Sequence, residues 1–388
     1  MSVVNKYYIY IVFISLAKII DSFLYGNNYN DVKLANDGFS KHILMHRLFG
    51  YIGTVILSII LRKNEKKKNR QINNNARHKL IYYNLENKKL GMESYIRISL
   101  MLSIWIIIER IIDSYFMVLE NLDFWMFELL IISILNLKLN KKKLYGHQIL
   151  GIILNSFCSI FKILAIAKSI DKNVSGILYI ERPILYISLG TIFYIILLIM
   201  RAYIYITINY YMEVKYISAT KIIKIFGIIG LIICSIVFIL STFINCIKTF
   251  SISNYICKVY YNNNYYFDNF ISIFNNTYID YEDEKKNLII FREIVREIFI
   301  ILLGFLTFFA SKYYSLLVIR DLSPVHVLFS VSIVSLFQSI IALIIYGGKN
   351  DYKGIKFQYY LAGDITSFIG FLIYLEIILI IVLFLPLM

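Results

Sequence analysis

The sequence reads as an all-α polytopic membrane protein, with about ten transmembrane helices forming two inverted five-helix repeats. Three observations point there. Hydrophobic residues make up 59% of the 388 residues and charged ones 17%, and the mean hydropathy is +0.67. A water-soluble fold could not hide so much apolar surface, and a disordered chain needs the opposite composition. Next, ten segments approach the roughly 20 apolar residues that a span requires. Finally, basic residues gather on one set of connecting loops.

The segments, in order, are 7–24, 43–61, 95–119, 124–138, 147–166, 184–208, 222–247, 293–310, 324–346 and 360–380. The first holds Lys18 and Asp21. It lacks a small-residue cleavage site and runs straight into a polar loop, so it reads as a span and not as a signal peptide. The third and fourth are joined by a tight polar turn around Asn121 to Asp123, which predicts that they pack antiparallel beside each other. The fourth is short. The remaining segments are long apolar runs bounded by polar loops.

Placing the N-terminus in the cytosol puts 1–6, 62–92, 138–144, 209–224 and 311–321 on that side, with 20 basic and 4 acidic residues. The opposite side (25–42, 167–183, 248–292 and 347–359) carries 13 basic and 10 acidic residues. This positive-inside bias orients both termini to the cytosol. The acceptor triplets at Asn173 and Asn275 fall on the other side, as the orientation requires. The formal net charge of +15 is thereby a topological signal; the spans themselves are slightly acidic. An even split gives repeats 1–180, with the basic cytosolic loop 62–92, and 181–388, with the lumenal loop 248–292. Five spans per half makes the second half start from the opposite face, hence inverted repeats.

Three stretches resemble the drug/metabolite transporter superfamily, and within it the nucleotide-sugar-transporter-like (solute carrier 35-type) group. Leu135 to Leu154 joins an apolar helix end through a basic turn to Gln148 and Gly151, like the junction of helices four and five. Met212 to Leu231 looks like the turn into helix seven. Leu322 to Gly348, with its Ser-Pro entry, small polar residues on one face and glycine exit, is similar to helix nine. The paired Lys-Arg signature of the sugar-phosphate branch is missing from this last stretch. The resemblance implies a secondary transporter that moves a small anionic metabolite, a nucleotide sugar or phosphorylated compound, across a Golgi or ER membrane by alternating access. Exchange for a nucleoside monophosphate is a family expectation.

Charges at membrane depth are costly, so those in the spans are the first functional candidates. Glu109, Arg110 and Asp113 share the third span at three- and four-residue spacing, and Glu128 lies one turn into the fourth. Two roles fit this group equally: a gate or proton-sensitive element near the lumenal mouth, or an ion-pair network locking a hairpin. Arg201 in the sixth span is the prime candidate for an anion site, because guanidinium forks onto phosphate oxygens and stays charged. His46 and Arg47 stand near the lumenal end of span two, and Arg296 matches Glu293 by spacing. In span nine, Ser332, Ser335 and Ser339 recur at helical spacing beside Gln338, suiting close packing or a cavity wall. His326 suits a helix cap or a titrating switch. Glu376 is expected deep in span ten, where burial suits proton coupling or, equally, pairing with a base across the bundle. Arg97, Lys162, Glu120, Asp123 and Asp364 read as snorkelling charges near span ends.

Cys158 and Cys234 read as small core residues; Cys246 and Cys257 have the option of pairing in an oxidising compartment. Gly50-x-x-Gly53 and Gly227-x-x-Gly230 read as close helix approaches. No Cys/His cluster has metal-ligand spacing, and no motif calls for a cofactor. The partners expected are the lipid bilayer and a small-molecule substrate, with no nucleic acid; a homodimer stays open. The alternatives to a carrier are a non-transporting scaffold with a carrier-like fold and, less favoured, a membrane-embedded lipid-modifying enzyme. Asp280 to Glu284 is the only metal-like carboxylate cluster for the enzyme, and it reads better as a solvated loop.

Overall fold

In the computed structural model every predicted span coincides with a helix. The structure describes residues 3–25, 43–73, 92–115, 126–139, 143–170, 183–214, 217–243, 259–261, 264–266, 286–346 and 355–377. Among these residues ten helices run in chain order: α1 Val3–Tyr25, α2 Ile43–Asn73, α3 Met92–Tyr115, α4 Met126–Leu139, α5 Gly146–Ile170, α6 Pro183–Val214, α7 Ala219–Phe243, α8 Lys286–Asp321, α9 Pro324–Tyr346 and α10 Ile355–Tyr374. A short antiparallel hairpin, β1 Val259–Tyr261 with β2 Asn264–Tyr266, follows α7.

Five of the helices carry a stretch long and apolar enough to cross a membrane: Leu44–Lys63, Ser188–Glu213, Ala219–Phe243, Ile298–Asp321 and Pro324–Ile341. The chain is therefore a multi-pass, helical membrane protein. Less than half of each such stretch is buried within the protein, so each also presents apolar side chains outward, as a lipid-facing helix does.

The strongest packing is α5 on α10, followed by α1 on α8, α2 on α7 and α3 on α7. Small residues explain two of these contacts. A methyl group added at Gly151 would stand 2.7 Å from the Gly370 carbonyl oxygen, so the α5 and α10 backbones touch. The expected close approaches of the two Gly-x-x-Gly pairs also occur. Gly230 receives the ring of Tyr51, and Gly50 receives Phe308. Around these sites Tyr51, Phe226 and Phe308 form an aromatic core joining α2, α7 and α8. Cys158 and Cys234 are buried, as expected, and the Cys234 thiol donates to the Leu44 carbonyl at 3.4 Å.

Three elements differ from the sequence reading. The eighth apolar segment does not end at residue 310, because α8 continues to Asp321 with Leu316 to Ile319 fully in the core. Window hydropathy stopped at the Ser-Lys-Tyr-Tyr run; the buried turn after it carries the helix on. Next, α3 and α4 are not principal neighbours among the described residues: each packs on α6, which supplies the surface between them. Third, α10 ends at Tyr374, and Glu376 adopts a left-handed backbone (φ 62°) that stops the helix.

Candidate functional site

The interior charges are assembled from six helices. Arg201 stands near the middle of the 32-residue α6. Its Nε donates to Glu128 Oε1 at 2.8 Å, and a second guanidinium nitrogen makes a short contact to Glu128 Oε2. This is the two-pronged geometry that matches guanidinium to carboxylate. A third nitrogen lies 3.5 Å from Glu109 of α3, and the guanidinium sits 5.4 Å from the Trp105 ring centre. Glu128 is fully buried. It opens α4, so this short helix begins at the depth of mid-α6.

A second cluster adjoins the first. Asp21 of α1 lies 3.6 Å from Arg47 of α2 and 3.9 Å from Arg110 of α3. Arg47 is buried and covers the Phe308 ring at 5.3 Å.

Two lysines complete the constellation, and sequence reasoning passed over both. Lys18 of α1 reaches Ser330 of α9 at 3.4 Å and lies within electrostatic reach of Arg201, Glu128, Glu109 and Lys312. Lys312 of α8 approaches the Trp105 and Phe308 rings at 5.5 and 5.8 Å. Its charged neighbours are Glu109, Arg47, Arg110 and Asp21. Lys312 had been assigned to a cytosolic loop because the eighth span seemed to end two residues earlier. Lys18 was visible only as a blemish in the first span. Among the described residues no carboxylate forms an ion pair with either lysine.

Among the described residues, with every group in its ordinary ionised form, this interior set holds five cations (Lys18, Arg47, Arg110, Arg201 and Lys312) and three carboxylates (Asp21, Glu109 and Glu128). The surplus among them is positive. Arg201 is the most fully neutralised of the cations, contrary to its predicted role as the open anion-binding group. The reason is tertiary: Glu128, distant in sequence, occupies its fork.

A separate polar network links α5, α9 and α10. Lys162 and Asp364 form an ion pair at 2.6 Å and are 1% and 2% exposed, so neither snorkels. Ser335 donates to Asp364 Oδ1 at 2.7 Å, and Ser339 makes a short hydrogen bond to Oδ2. Ser367 donates to Asn155 Oδ1 at 2.9 Å and lies 3.3 Å from Ser332. The serine row of α9 therefore serves a buried ion pair. Gln338, beside it, is half-buried and outside this set of bonds.

Glu376 is about half exposed just past the end of α10, 2.9 Å from His147 Nε2 at the start of α5. His326 takes the cap position: its Nδ1 lies 2.8 Å from the Ser323 hydroxyl, and its backbone N–H donates to the Ser323 carbonyl. Arg97 is exposed and paired with Glu93, as a snorkelling charge would be. The side chains of Asp113, Glu293 and Arg296, and residues Glu120, Asp123, Asn173, Cys246, Cys257, Asn275 and 280–284, lie outside the described residues. Among the described side chains no group of acidic, His and Cys residues has the makings of a metal site.

In comparison with known proteins, the sequence matches no family model and no curated relative.

Proposed function

We propose that this chain is a secondary carrier of the drug/metabolite type, moving a small anionic metabolite by alternating access between two inverted five-helix repeats. One observation carries the anionic substrate: among the described residues the interior cluster of α1, α2, α3, α4, α6 and α8 has more cations than carboxylates, and Lys18 and Lys312 are the surplus. A half-buried ammonium at membrane depth without a carboxylate is costly, and a bound anion is the partner that offsets the cost. Arg201 is then the anchor that holds Glu128 and Glu109 away from the two lysines.

Most of the helix packing supports the repeat architecture. Shifting every helix number by five exchanges α1–α8 with α3–α6, α3–α7 with α2–α8, α4–α5 with α9–α10, and α4–α6 with α1–α9; it returns α2–α7, α5–α10 and α4–α9 to themselves. All of these pairs occur, whereas the weaker contacts α6–α8, α7–α8, α8–α9 and α6–α9 have no counterpart of equal strength among the described residues. The Gly-x-x-Gly pairs lie on α2 and α7, which the same shift relates. Sites between such repeats lie near the bilayer midplane, and the height of Arg201 and Glu128 is in keeping with that. The cytosolic termini and the endomembrane location belong to the same proposal, and rest on loop charge and resemblance.

The saturated pairs Arg201–Glu128 and Lys162–Asp364 favour a second reading, a carrier-like scaffold held rigid by ion pairs. Uptake into proteoliposomes separates the two. Labelled nucleotide sugars and sugar phosphates should accumulate with the wild-type protein. Lys18→Gln and Lys312→Gln should each lower uptake at least tenfold while the protein stays monodisperse. If no anion crosses with folded protein, the scaffold reading stands. If uptake occurs but is unchanged in both lysine variants, the anion site lies elsewhere.

A further inference from the structure

The basic ends of α2 and α7 form a cleft that the transport reading does not use. The two helices cross antiparallel where Gly227 meets Thr54 and Val55 and Gly230 meets Tyr51. Beyond the crossing lies an open cleft of about 160 Å³ lined by Ile59, Arg62, Lys63 and Lys224. Three of its four described lining residues are cations, drawn from two helices.

The walls leading away from this cleft are apolar and face outward. On α2, Ile56, Ile59 and Ile60 are exposed and are followed on the same face by Lys63. On α7, Lys224 is followed at four-residue steps by Ile228, Ile232 and Ile236, all exposed. Such spacing keeps each set on one helical face. In the antiparallel register set by Gly227 on Thr54 and Val55, Lys224 stands about level with Leu57, so the α7 stripe continues away from the cleft where the α2 stripe stops. Water cannot be the solvent of those isoleucine stripes in a membrane protein; acyl chains are.

A cationic cleft above successive apolar stripes has the outline of an anionic lipid: a negative headgroup between Arg62, Lys63 and Lys224, and acyl chains along Ile56–Ile60 and then Ile228–Ile236. We infer that this cleft is a binding site for an anionic phospholipid headgroup. The inference rests on the membrane character of the chain and on charge complementarity. It does not depend on a transported substrate or on which compartment the face meets. Interfacial cations each favour anionic lipid by a factor of about five, and guanidinium adds forked recognition of the phosphate.

The test is native mass spectrometry of the detergent-purified full-length protein, titrated with phosphatidylserine and phosphatidylcholine of identical acyl chains. Wild-type protein should retain phosphatidylserine at least tenfold more strongly. The combined variant Arg62→Gln/Lys63→Gln/Lys224→Gln should lose that preference while binding phosphatidylcholine as before. Lys138→Gln/Lys143→Gln, at two exposed lysines outside the cleft, should keep it. If the triple variant does not fold, Lys224→Glu alone should lower the preference at least fivefold. Equal retention of the two lipids by wild-type protein, or an undiminished preference in the cleft variants, would overturn the inference. So would displacement of phosphatidylserine by inorganic phosphate at millimolar concentration, which would make the cleft a site for a soluble anion.

Discussion

Glu128 and Arg201 show how one residue's role changes when its neighbours are known. Glu128 is fully buried and Arg201 nearly so, so removing either partner leaves a buried charge without its counterpart. Glu128→Ala should destabilise the protein by about 3 kcal/mol, read as a lower unfolding temperature in detergent. The joint variant Glu128→Leu/Arg201→Met should recover most of that loss, because two apolar groups of similar size remove both charges together. Lys18 and Lys312 should behave in the opposite way. Without a carboxylate partner among the described residues, their replacement by glutamine costs little stability and is felt in transport. Asp364→Asn tests the second network: it leaves Lys162 uncompensated and should cost about 3 kcal/mol. Asp364→Asn transport measured at a temperature where the variant is folded should match wild type if this network is only structural.

At the scale of helices, the α2–α7 crossing is the most sharply specified contact. A methyl group at Gly230 would stand 2.0 Å from Tyr51 Cε1, closer than any real contact, so the ring or a helix must move. Gly230→Ala should destabilise by about 2 kcal/mol, measured as loss of monodisperse protein on heating. Tyr51→Leu leaves room for the added methyl, so the double variant should be less destabilised than the two single effects combined. Gly146→Ala is the control. Nothing lies within 4 Å of its added methyl, and alanine is the better helix former by about 1 kcal/mol; it should leave stability unchanged or slightly raised. The Gly-x-x-Gly pairs were legible in sequence as close approaches, because no other residue type permits them. Their partners were not, since Tyr51 and Phe308 are ordinary apolar residues until the helices meet. The α8 boundary failed for a related reason: a window average cannot see that Leu316 to Ile319 enter a core beyond a polar turn.

For the whole molecule, the positive-inside bias makes a clear forecast. In translation coupled to microsomes, Asn173 and Asn275 should both be glycosylated, and an acceptor inserted in 62–92 should not be. The reverse pattern would invert the proposed orientation, and glycosylation of only one native acceptor would argue against the number of crossings between residues 173 and 275. Moving Lys312 from loop to helix reduces the basic count on the cytosolic side by one, which leaves the bias intact.

Hydropathy and loop charge act locally and along the chain, so the sequence by itself determined the membrane character, the ten helical segments and their approximate bounds. It also supplied the right inventory for the interior in Glu109, Arg110, Glu128 and Arg201. Which of these charges neutralise one another was decided by tertiary structure alone. Ion pairing at membrane depth depends on a few ångströms between groups that are far apart in sequence: 73 residues for Glu128 and Arg201, and 202 for Lys162 and Asp364. The fold closes those distances, uses up the arginine that looked most available, and leaves two lysines without a carboxylate partner among the described residues.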